Sequence, residues 1–450
     1  MSLLVEYFQE FRRFQRNARL YLISSTLNGM TIGIILILYN LYLAALGYGA
    51  DFIGLVLFAG TIGAGIAIFP AGLYVDRFSG KTIILWSSLL IGIAGVGQIL
   101  FRQPAPLLVS TFVAGVGGAF ILVVNAPFLT TYSTPAERPL LFSLNITLSL
   151  VTTVLGEVLG GILPLWFHGL PWLMAPLPSW LAWALAASPL ARSYQLALLL
   201  AGLISGPSLI PLLLMSNDQP VASSHTATQP LIPRLMIRQI FSTLKGLNTR
   251  TILLSPMAVM VAVQLLVGMG AGLFIPYFNI YFVQHLGASS ALFGAIDGGA
   301  NALNAVLVLV APWLARRVGK VNTMTLTRLA SVPLLLIIGS TNVLSLAAIL
   351  YLFRQGFMDM SVGILQVFSM EVVPKQHRGL ANSSYQAAFQ VAWAITTPLG
   401  GLMIVHLGYT PIFLIGACLY LLAIVTLWGR FRHGQENDKV NDEEQKKSSG

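Results

Sequence analysis

Charged residues are scarce in this chain of 450 residues. They make up 9% of the sequence, whereas apolar residues make up 56%, and a soluble domain carries roughly 25% charged residues. Cysteine is nearly absent too, because Cys418 stands alone and one thiol cannot close an internal disulfide. The N-terminus also lacks the basic, apolar and small-residue order of a cleaved signal peptide. The composition therefore excludes an ordinary soluble domain and a fold held by internal disulfides.

Apolar runs of about 20 residues fill most of the sequence. Such a run crosses a bilayer as a helix, because each backbone amide in hydrocarbon must be paired within its own segment. Twelve runs predict an all-α integral membrane protein with twelve transmembrane helices. The predicted spans are approximately 20–45, 53–74, 82–101, 105–132, 140–167, 193–215, 251–283, 290–313, 322–340, 344–372, 380–405 and 409–429.

Basic residues give the chain a formal net charge of +10. They are concentrated before the first span, in alternate loops and after the last span, while the opposite loops carry only Arg102 and Arg192. This is the positive-inside pattern of membrane proteins, so a nucleic-acid partner is not expected. We expect a multi-pass protein of the cell membrane, in contact with the lipid bilayer, with both termini in the cytoplasm.

The second half of the chain repeats features of the first at a separation of about 240 residues. The matching pairs are Asn40 and Asn279, Gly47 and Gly287, Gly54 and Gly294, Arg138 and Arg378, and Gly160-Gly161 and Gly400-Gly401. A period this long is typical of a duplicated bundle rather than a solenoid. The sequence thus predicts two six-helix halves in parallel repeat.

Five parts follow from this organisation. We predict a cytoplasmic N-terminal segment over 1–19, either an interfacial helix or a disordered arm, and a first six-helix bundle over 20–216. A polar cytoplasmic linker over 217–250 leads to the second six-helix bundle over 251–430. The charged residues 431–450 are predicted to be a disordered cytoplasmic tail.

About 24 residues of the first half, within 168–192, have no counterpart in the second. The stretch is rich in proline and contains Trp172, Trp180 and Trp183 on the predicted outer side. Tryptophan favours the head-group level of a membrane. The stretch is therefore either an interfacial plug or short lateral helix, or a plain loop.

A charged turn between the second and third spans carries the most specific motif. Its residues are Gly72, Asp76, Arg77, Gly80 and Lys81, and a partial copy after the eighth span consists of Arg317, Gly319 and Lys320. Together with the two six-helix repeats, this motif resembles the signature of the major facilitator superfamily of secondary transporters. The copy departs from the pattern because Arg316 stands where the acidic residue would be.

The resemblance covers about residues 20–430 and implies the fold of that superfamily, alternating access, a small-molecule substrate and a monomer. It also implies that the charged turn controls conformational switching. The antiporter motif of drug-efflux members is degenerate here, since Glu157 replaces its proline between Gly156 and Gly160-Gly161. The arginine of the family's fourth helix would fall at Thr111.

Four ionisable residues lie well inside predicted spans, namely Glu157, Asp297, Arg354 and Asp359. A charge at the centre of a span costs about 2.5 to 3.5 kcal/mol, so each is a candidate for proton coupling. Glu157, Asp297 and Arg354 are predicted to lie at similar depths in the membrane. The alternative to proton coupling is a static ion pair between Arg354 and Asp297.

Three other charged positions lead to simpler expectations. Asp359 follows Arg354 by five residues, or about 140° around a helix, which predicts that the two lie on different faces. Arg328 and Glu371 lie nearer the cytoplasmic ends of their spans, where snorkelling accounts for them.

The sequence predicts a secondary active transporter that couples a proton to export of small, largely apolar compounds. Polar candidates for its cavity are few, namely Asn28, Asn125, Gln264 and Gln355. The alternatives are an importer of a sugar-like or organic-acid solute, and a non-transporting receptor or scaffold. An enzyme, a metal and a cofactor are not expected, because no nucleophile with a base and no cluster of metal ligands is visible.

Overall fold

We describe the protein from a computed structural model. The structure describes residues 14–75, 78–134, 137–178, 180–216, 255–374 and 378–448. All regular secondary structure within these ranges is helical. The predicted linker and most of the predicted N-terminal segment lie outside the described residues.

In the described residues, the first repeat contains six long helices and two short ones. The long helices are α1 (Arg16–Ala45), α2 (Ala50–Val75), α3 (Gly80–Leu100), α4 (Pro104–Thr131), α5 (Arg138–His168) and α6 (Pro189–Ser205). A 3₁₀ turn, Gly206–Ser208, and a short helix, Leu209–Leu213, extend the path of α6. The stretch between α5 and α6 holds a four-residue helix, Pro171–Met174.

The second repeat has less regular helices. They are α7 (Pro256–Phe274), α8 (Ser290–Val318), α9 (Lys320–Ser340), α10a (Leu344–Asp359), α10b (Val362–Glu371), α11 (Arg378–Leu407) and α12 (Thr410–Ser448). The path of α7 continues through a 3₁₀ turn at Ile275–Tyr277, one helical turn at Phe278–Ile280 and a π-helical turn at Tyr281–His285.

Eleven helical stretches in the described residues are long and apolar enough to cross a membrane. The remaining predicted span, 344–372, is divided into α10a of 16 residues and α10b of 10 residues. The prediction of an all-α membrane protein with this fold is therefore confirmed, with the tenth span broken at Met360-Ser361.

The turns show the duplication in their backbone. Gly47 between α1 and α2 has a φ of 97°, and Gly287 between α7 and α8 has a φ of 73°. Both values lie in the left-handed region, which glycine enters without a Cβ clash. The repeated glycines thus make the same sharp turn in both halves.

The helices form two compact units. One comprises residues 1–226 with 277–298, and the other 227–276 with 299–450. In the first unit α1 packs along α5 and α2 packs along α4. In the second unit α7 packs along α11 and α12, and α9 packs along α10a and α12.

Glycines let the main helix pair of each unit touch backbone to backbone. A Cβ added at Gly33 of α1 would lie 2.0 Å from the carbonyl oxygen of Thr153 on α5. At the equivalent Gly272 of α7, a Cβ would lie 2.7 Å from the carbonyl oxygen of Trp393 on α11. Small residues allow this approach in a lipid environment, where close packing replaces the hydrophobic effect as the driving force.

The chain beyond residue 430 continues from the last membrane span. The helix α12 is assigned as far as Ser448, whereas the apolar span within it ends at Arg432. Glutamate, glutamine and lysine, which are frequent beyond that point, favour helical backbone. The disordered tail over 431–450 stays a prediction.

Candidate functional site

The structure describes only part of the charged turn between α2 and α3, because Asp76 and Arg77 lie outside the described residues. Gly72 has open space around its Cα, and Gly80 begins α3 with the Phe128 ring 2.8 Å from where its Cβ would be. Lys81 Nζ donates a hydrogen bond of 2.6 Å to the carbonyl oxygen of Met215. This contact fastens the start of α3 to the chain that leaves α6.

The partial copy of this turn makes an ion pair. Lys320 Nζ lies 2.6 Å from Oε2 of Glu371, so the start of α9 is tied to the end of α10b. The Arg317 guanidinium lies 4.4 Å from the ring centre of Trp313, and Gly319 has a φ of 91°. Lys81 and Lys320 thus both connect a helix start to the end of another helix.

Glu157 is buried inside the first unit. Its exposed fraction is 2%, and its backbone lies in the glycine contact between α1 and α5. A Cβ at Gly33 would lie 2.8 Å from the Glu157 nitrogen. The carboxylate therefore belongs to the tightest helix pair of the unit, and burial there favours a neutral or paired carboxyl group.

Residues 277–298, from the second repeat, pack against this region within the same unit. Asn279 Nδ2 donates to the carbonyl oxygen of Ile37 at 3.2 Å, and Ser290 Oγ donates to that of Gly161 at 2.9 Å. A Cβ at Gly294 would lie 2.5 Å from the carbonyl oxygen of Glu157. The half-buried Asp297 follows Gly294 by less than one turn, so the two carboxylates lie on helices that touch.

Arg354 lies in the interior of the second unit with an exposed fraction of 3%. Its Nη2 donates to the hydroxyl oxygen of Tyr420 at 3.2 Å. Its guanidinium carbon also lies 5.0 Å from the ring centre of Phe274. One side chain of α10a thereby joins α7 and α12 through a hydrogen bond and a cation–π contact.

One expectation about neighbouring charges was wrong. Arg328, assigned to snorkelling, has an exposed fraction of 4% and interacts electrostatically with Asp359. It lies eight residues inside α9, too deep for its head group to reach water once α10a and α12 pack around it. Asp359 also interacts electrostatically with Arg354. That Arg354 and Asp359 lie on different faces of their helix stays a prediction, because two charges can interact without sharing a face.

Arg328, Arg354, Asp359 and Tyr420 therefore form a cluster, which we call the C-unit charge cluster. Sequence reasoning missed Arg328 and Tyr420 as its members. The sequence carried one signal for Arg328, namely its depth within the predicted membrane span. Arg328 is more than two turns from the start of its helix.

Three of the four polar cavity candidates take part in hydrogen bonds within their units. Asn28 Oδ1 accepts from Ser205 Oγ at 3.1 Å, and Asn125 Oδ1 accepts from the Tyr21 hydroxyl at 3.0 Å. Gln355 Nε2 donates to Asn301 Oδ1 at 3.0 Å. Gln264 is half-buried on α7. These bonds hold neighbouring helices together.

Metal chemistry receives no support from the ranges that the structure describes. No group of three His, Cys, Asp or Glu side chains is placed there to hold a metal ion. Two sets of ionisable groups do come together within the described spans. Glu157 of α5 and Asp297 of α8 lie on helices that touch, and the C-unit charge cluster lies in the second unit.

The fold is shared with transporters of known structure. The nucleoside transporter NupG superposes with a TM-score of 0.71 at 14% identity, over 93% of this chain and 99% of that one. A D-xylose-proton symporter gives 0.66 at 15% identity, over 90% and 96% of the two chains. A bacterial homolog of the human lysosomal transporter Spinster gives 0.65 at 15% identity, over 92% and 97%.

The sequence itself matches a family profile over most of its length. The profile of the Major Facilitator Superfamily matches residues 21–353 and again residues 260–449. The repeated six-helix design and the paired turns agree with this match. The chain is a multi-pass membrane protein that belongs to the Major Facilitator Superfamily of transporters, not to a family of enzymes.

Proposed function

We propose that this chain is a proton-coupled secondary transporter of the cell membrane, with both termini in the cytoplasm. It exports small, largely apolar compounds by alternating access. The observation that carries proton coupling is the burial of Glu157 beneath the start of α8. A carboxyl group held there at an exposed fraction of 2% is stable when it is protonated or paired.

The packing suggests how the proton enters. The segment that covers Glu157 is Ser290 to Gly298, which contacts α5 through Ser290, Gly294 and Gly298. Separation of this segment from α5 opens Glu157 and Asp297 to the outer solution, where a proton binds. When the segment packs back, the protonated carboxyl is buried without a charge, and the proton leaves in the state that faces inward.

The C-unit charge cluster is the second candidate for coupling. It holds two buried guanidinium groups beside the half-buried carboxylate of Asp359. Protonation of Asp359 would remove a negative charge that acts on both arginines, so a change of its protonation is coupled to a rearrangement of α9 and α10a. A static ionic lock is the competing role for these same residues.

Transport driven by an imposed pH gradient tests the Glu157 proposal. Full-length protein in liposomes, with a substrate found by a thermal-shift panel, should lose pH-driven accumulation in Glu157→Gln and keep substrate binding. Asp297→Asn should give the same result if the carboxylates of Glu157 and Asp297 share the proton. Asp51→Asn, a matched change in the first turn of α2, should transport normally. Unchanged pH-driven flux in Glu157→Gln would falsify the role of this carboxyl.

The choice of cargo rests on the scarcity of uncommitted polar groups. Asn28, Asn125 and Gln355 all hydrogen-bond to side chains of their own unit, which reduces their capacity to replace the water shell of a hydrophilic solute. We therefore favour largely apolar cargo. A panel of lipophilic cations and dyes should shift the melting temperature more than a panel of sugars and organic acids.

Import of a sugar-like or organic-acid solute is the alternative. It is favoured by the likeness to structures described as a nucleoside transporter and a D-xylose-proton symporter. Under this alternative, the sugars or acids of the panel raise the melting temperature and the lipophilic compounds do not. Inward flux along the proton gradient would then replace export.

The charged turn between α2 and α3 is proposed as the conformational switch. Its described member Lys81 already fastens α3 to Met215, just after the short helix that continues α6, and Lys320 ties α9 to α10b. Arg77→Ala and Asp76→Asn should slow transport while membrane insertion stays normal. Full transport by both variants at normal expression would leave the motif with a role in orientation only.

A further inference from the structure

The stretch between α5 and α6 exposes large aromatic rings and has no charge of its own. Residues 169–188 contain no charged residue, and Trp172, Trp180 and Trp183 are 72%, 69% and 73% exposed. Each ring presents on the order of 150 to 250 Å² of mostly apolar surface. Leaving three such rings in water is unfavourable at about 25 cal/mol per Å².

The backbone of this stretch is held by one buried arginine. Arg192, in the first turn of α6, has an exposed fraction of 2%. Its guanidinium donates to the carbonyl oxygens of Leu173, Ala175, Ala186 and Ala187 at 2.9, 2.7, 2.9 and 3.0 Å. The early and late parts of the stretch are thus gathered onto the same side chain.

Two further side chains fasten the stretch to the ends of membrane helices. Gln195, with an exposed fraction of 0%, accepts from the Ala186 nitrogen at 2.7 Å and donates to the Ile99 carbonyl oxygen at 3.1 Å. Arg102, between α3 and α4, donates to the carbonyl oxygens of Ala182 and Trp183 at 3.1 and 3.3 Å.

These bonds fix the level of the stretch along the membrane normal. Ile99 is in the last turn of α3, and Arg102 lies in the turn before α4. A segment bound to both lies where helices enter and leave the bilayer. Much of its backbone is paired with protein donors rather than with water, as a position close to hydrocarbon requires.

We propose that residues 169–178 and 180–188 form a fixed membrane anchor, which we call the tryptophan anchor. It lies in the head-group region of the leaflet opposite the basic loops, and Trp172, Trp180 and Trp183 contact lipid. Tryptophan rings prefer this depth, because the ring is apolar and its N–H remains hydrogen-bonded near water. Apolar side chains beside the stretch are also exposed, namely Phe101 after α3 at 48% and Leu190 in α6 at 50%, and a bilayer is the partner of this surface.

The anchor also explains why Arg192 is buried. A guanidinium at the membrane border is tolerated when backbone carbonyl oxygens surround it, and four of them do so here. The second repeat has no counterpart of this stretch. The tryptophan anchor therefore gives the first repeat a contact with the bilayer that the second one lacks.

Fluorescence of the full-length protein in lipid nanodiscs tests the proposal. A variant that keeps Trp183 and replaces the other seven tryptophans by phenylalanine should lose most of its emission when the lipid is brominated near the head group. Bromine near the bilayer centre and iodide in water should quench it less. The control keeps only Trp86, which is 67% exposed on the membrane helix α3. Its emission should be quenched by bromine placed deeper in the lipid acyl chains.

Each other outcome overturns the proposal. Strong quenching of Trp183 by iodide with no quenching by brominated lipid would place the stretch in water. Protection from both quenchers in the single-Trp183 protein would mean that protein, such as a second copy of the chain, covers the rings. Equal results for variants that keep only Trp172 or only Trp180 would extend either conclusion to the whole stretch.

A second variant separates the anchor from the rest of the fold. Arg192→Met in the single-Trp183 background should reduce quenching by head-group bromine, because the carbonyl oxygens of the stretch lose their shared donor. If that variant does not assemble, Arg102→Met tests the same role, because Arg102 donates to the carbonyl oxygens of Ala182 and Trp183. Undiminished quenching in the assembled variant would contradict the role of these arginines as fasteners.

Discussion

The α1–α5 pair of the first repeat and the α7–α11 pair of the second are packed alike, yet they differ in charge. Gly33 and Gly272 lie against carbonyl oxygens of the facing helix in the two pairs. Glu157 of α5 corresponds to Thr397 of α11 in the repeat, and both are buried. Thr397 Oγ1 donates a hydrogen bond of 2.8 Å to the Trp393 carbonyl oxygen of its own helix.

The difference shows that this packing does not require a carboxylate. A threonine with a local hydrogen bond fills the same position in the second repeat, so the cost of burying Glu157 is not imposed by the fold. The charges of the C-unit charge cluster, conversely, have no counterpart in the first repeat. Arg328, Arg354 and Asp359 correspond to Ser88, Ala114 and Ala119, so each repeat carries its intramembrane charges at a different place.

The largest effect on stability is expected from breaking the C-unit charge cluster. Arg354→Met should lower the free energy of unfolding by about 3 to 5 kcal/mol, because Asp359 loses one of its two cationic neighbours inside the protein. Thermal unfolding in detergent measures this. The double variant Arg354→Met with Asp359→Asn should recover part of the loss, and the exposed Arg430→Met should change little. A wild-type melting temperature for Arg354→Met would show that the cluster is not a structural unit.

Glycine substitution should affect the two repeats equally. Gly33→Ala and Gly272→Ala should each lower the free energy of unfolding by about 1 to 3 kcal/mol, because the new methyl group meets a backbone oxygen that cannot move alone. Gly65→Ala, which has open space around it, is the matched control and should not destabilise. A large loss in one repeat with none in the other would break the equivalence of the two helix pairs.

The lysines of the paired turns should contribute less. Lys320→Met removes an ion pair whose side chains are 43% and 46% exposed, so the expected loss is about 0.2 to 1 kcal/mol. That loss should shrink further as salt is added. Lys81→Met removes the hydrogen bond to the Met215 carbonyl oxygen and should also cost little. Melting temperatures over a salt series check the ion pair, and a loss for Lys320→Met that does not change with salt would contradict it.

An effect on stability no larger than that of Lys320→Met is expected from making the first repeat resemble the second. Glu157→Thr should change the free energy of unfolding by about 1 kcal/mol or less, because the hydroxyl can donate to a carbonyl oxygen of its own helix as Thr397 does. The same variant should lose pH-driven flux. A steep fall in melting temperature would mean instead that Glu157 serves the packing of α5.

The sequence by itself determined the membrane class, the number of repeats and the family. These depend on the length of apolar runs, on the distribution of basic residues and on residues repeated at a fixed separation. All three are properties of the chain read in order. The glycine turns at Gly47 and Gly287 were predictable for the same reason, since a local backbone requirement selects glycine at both places.

Tertiary structure alone decided which charges meet and where helices break. The packing of α9 against α10a brings Arg328 within electrostatic reach of Asp359. The burial of Arg328 depends on α10a and α12, which are distant from it in sequence. The order within 169–188 likewise comes from Arg192, Gln195 and Arg102. Contacts between distant segments leave no periodic trace in the sequence, so only the folded chain reveals them.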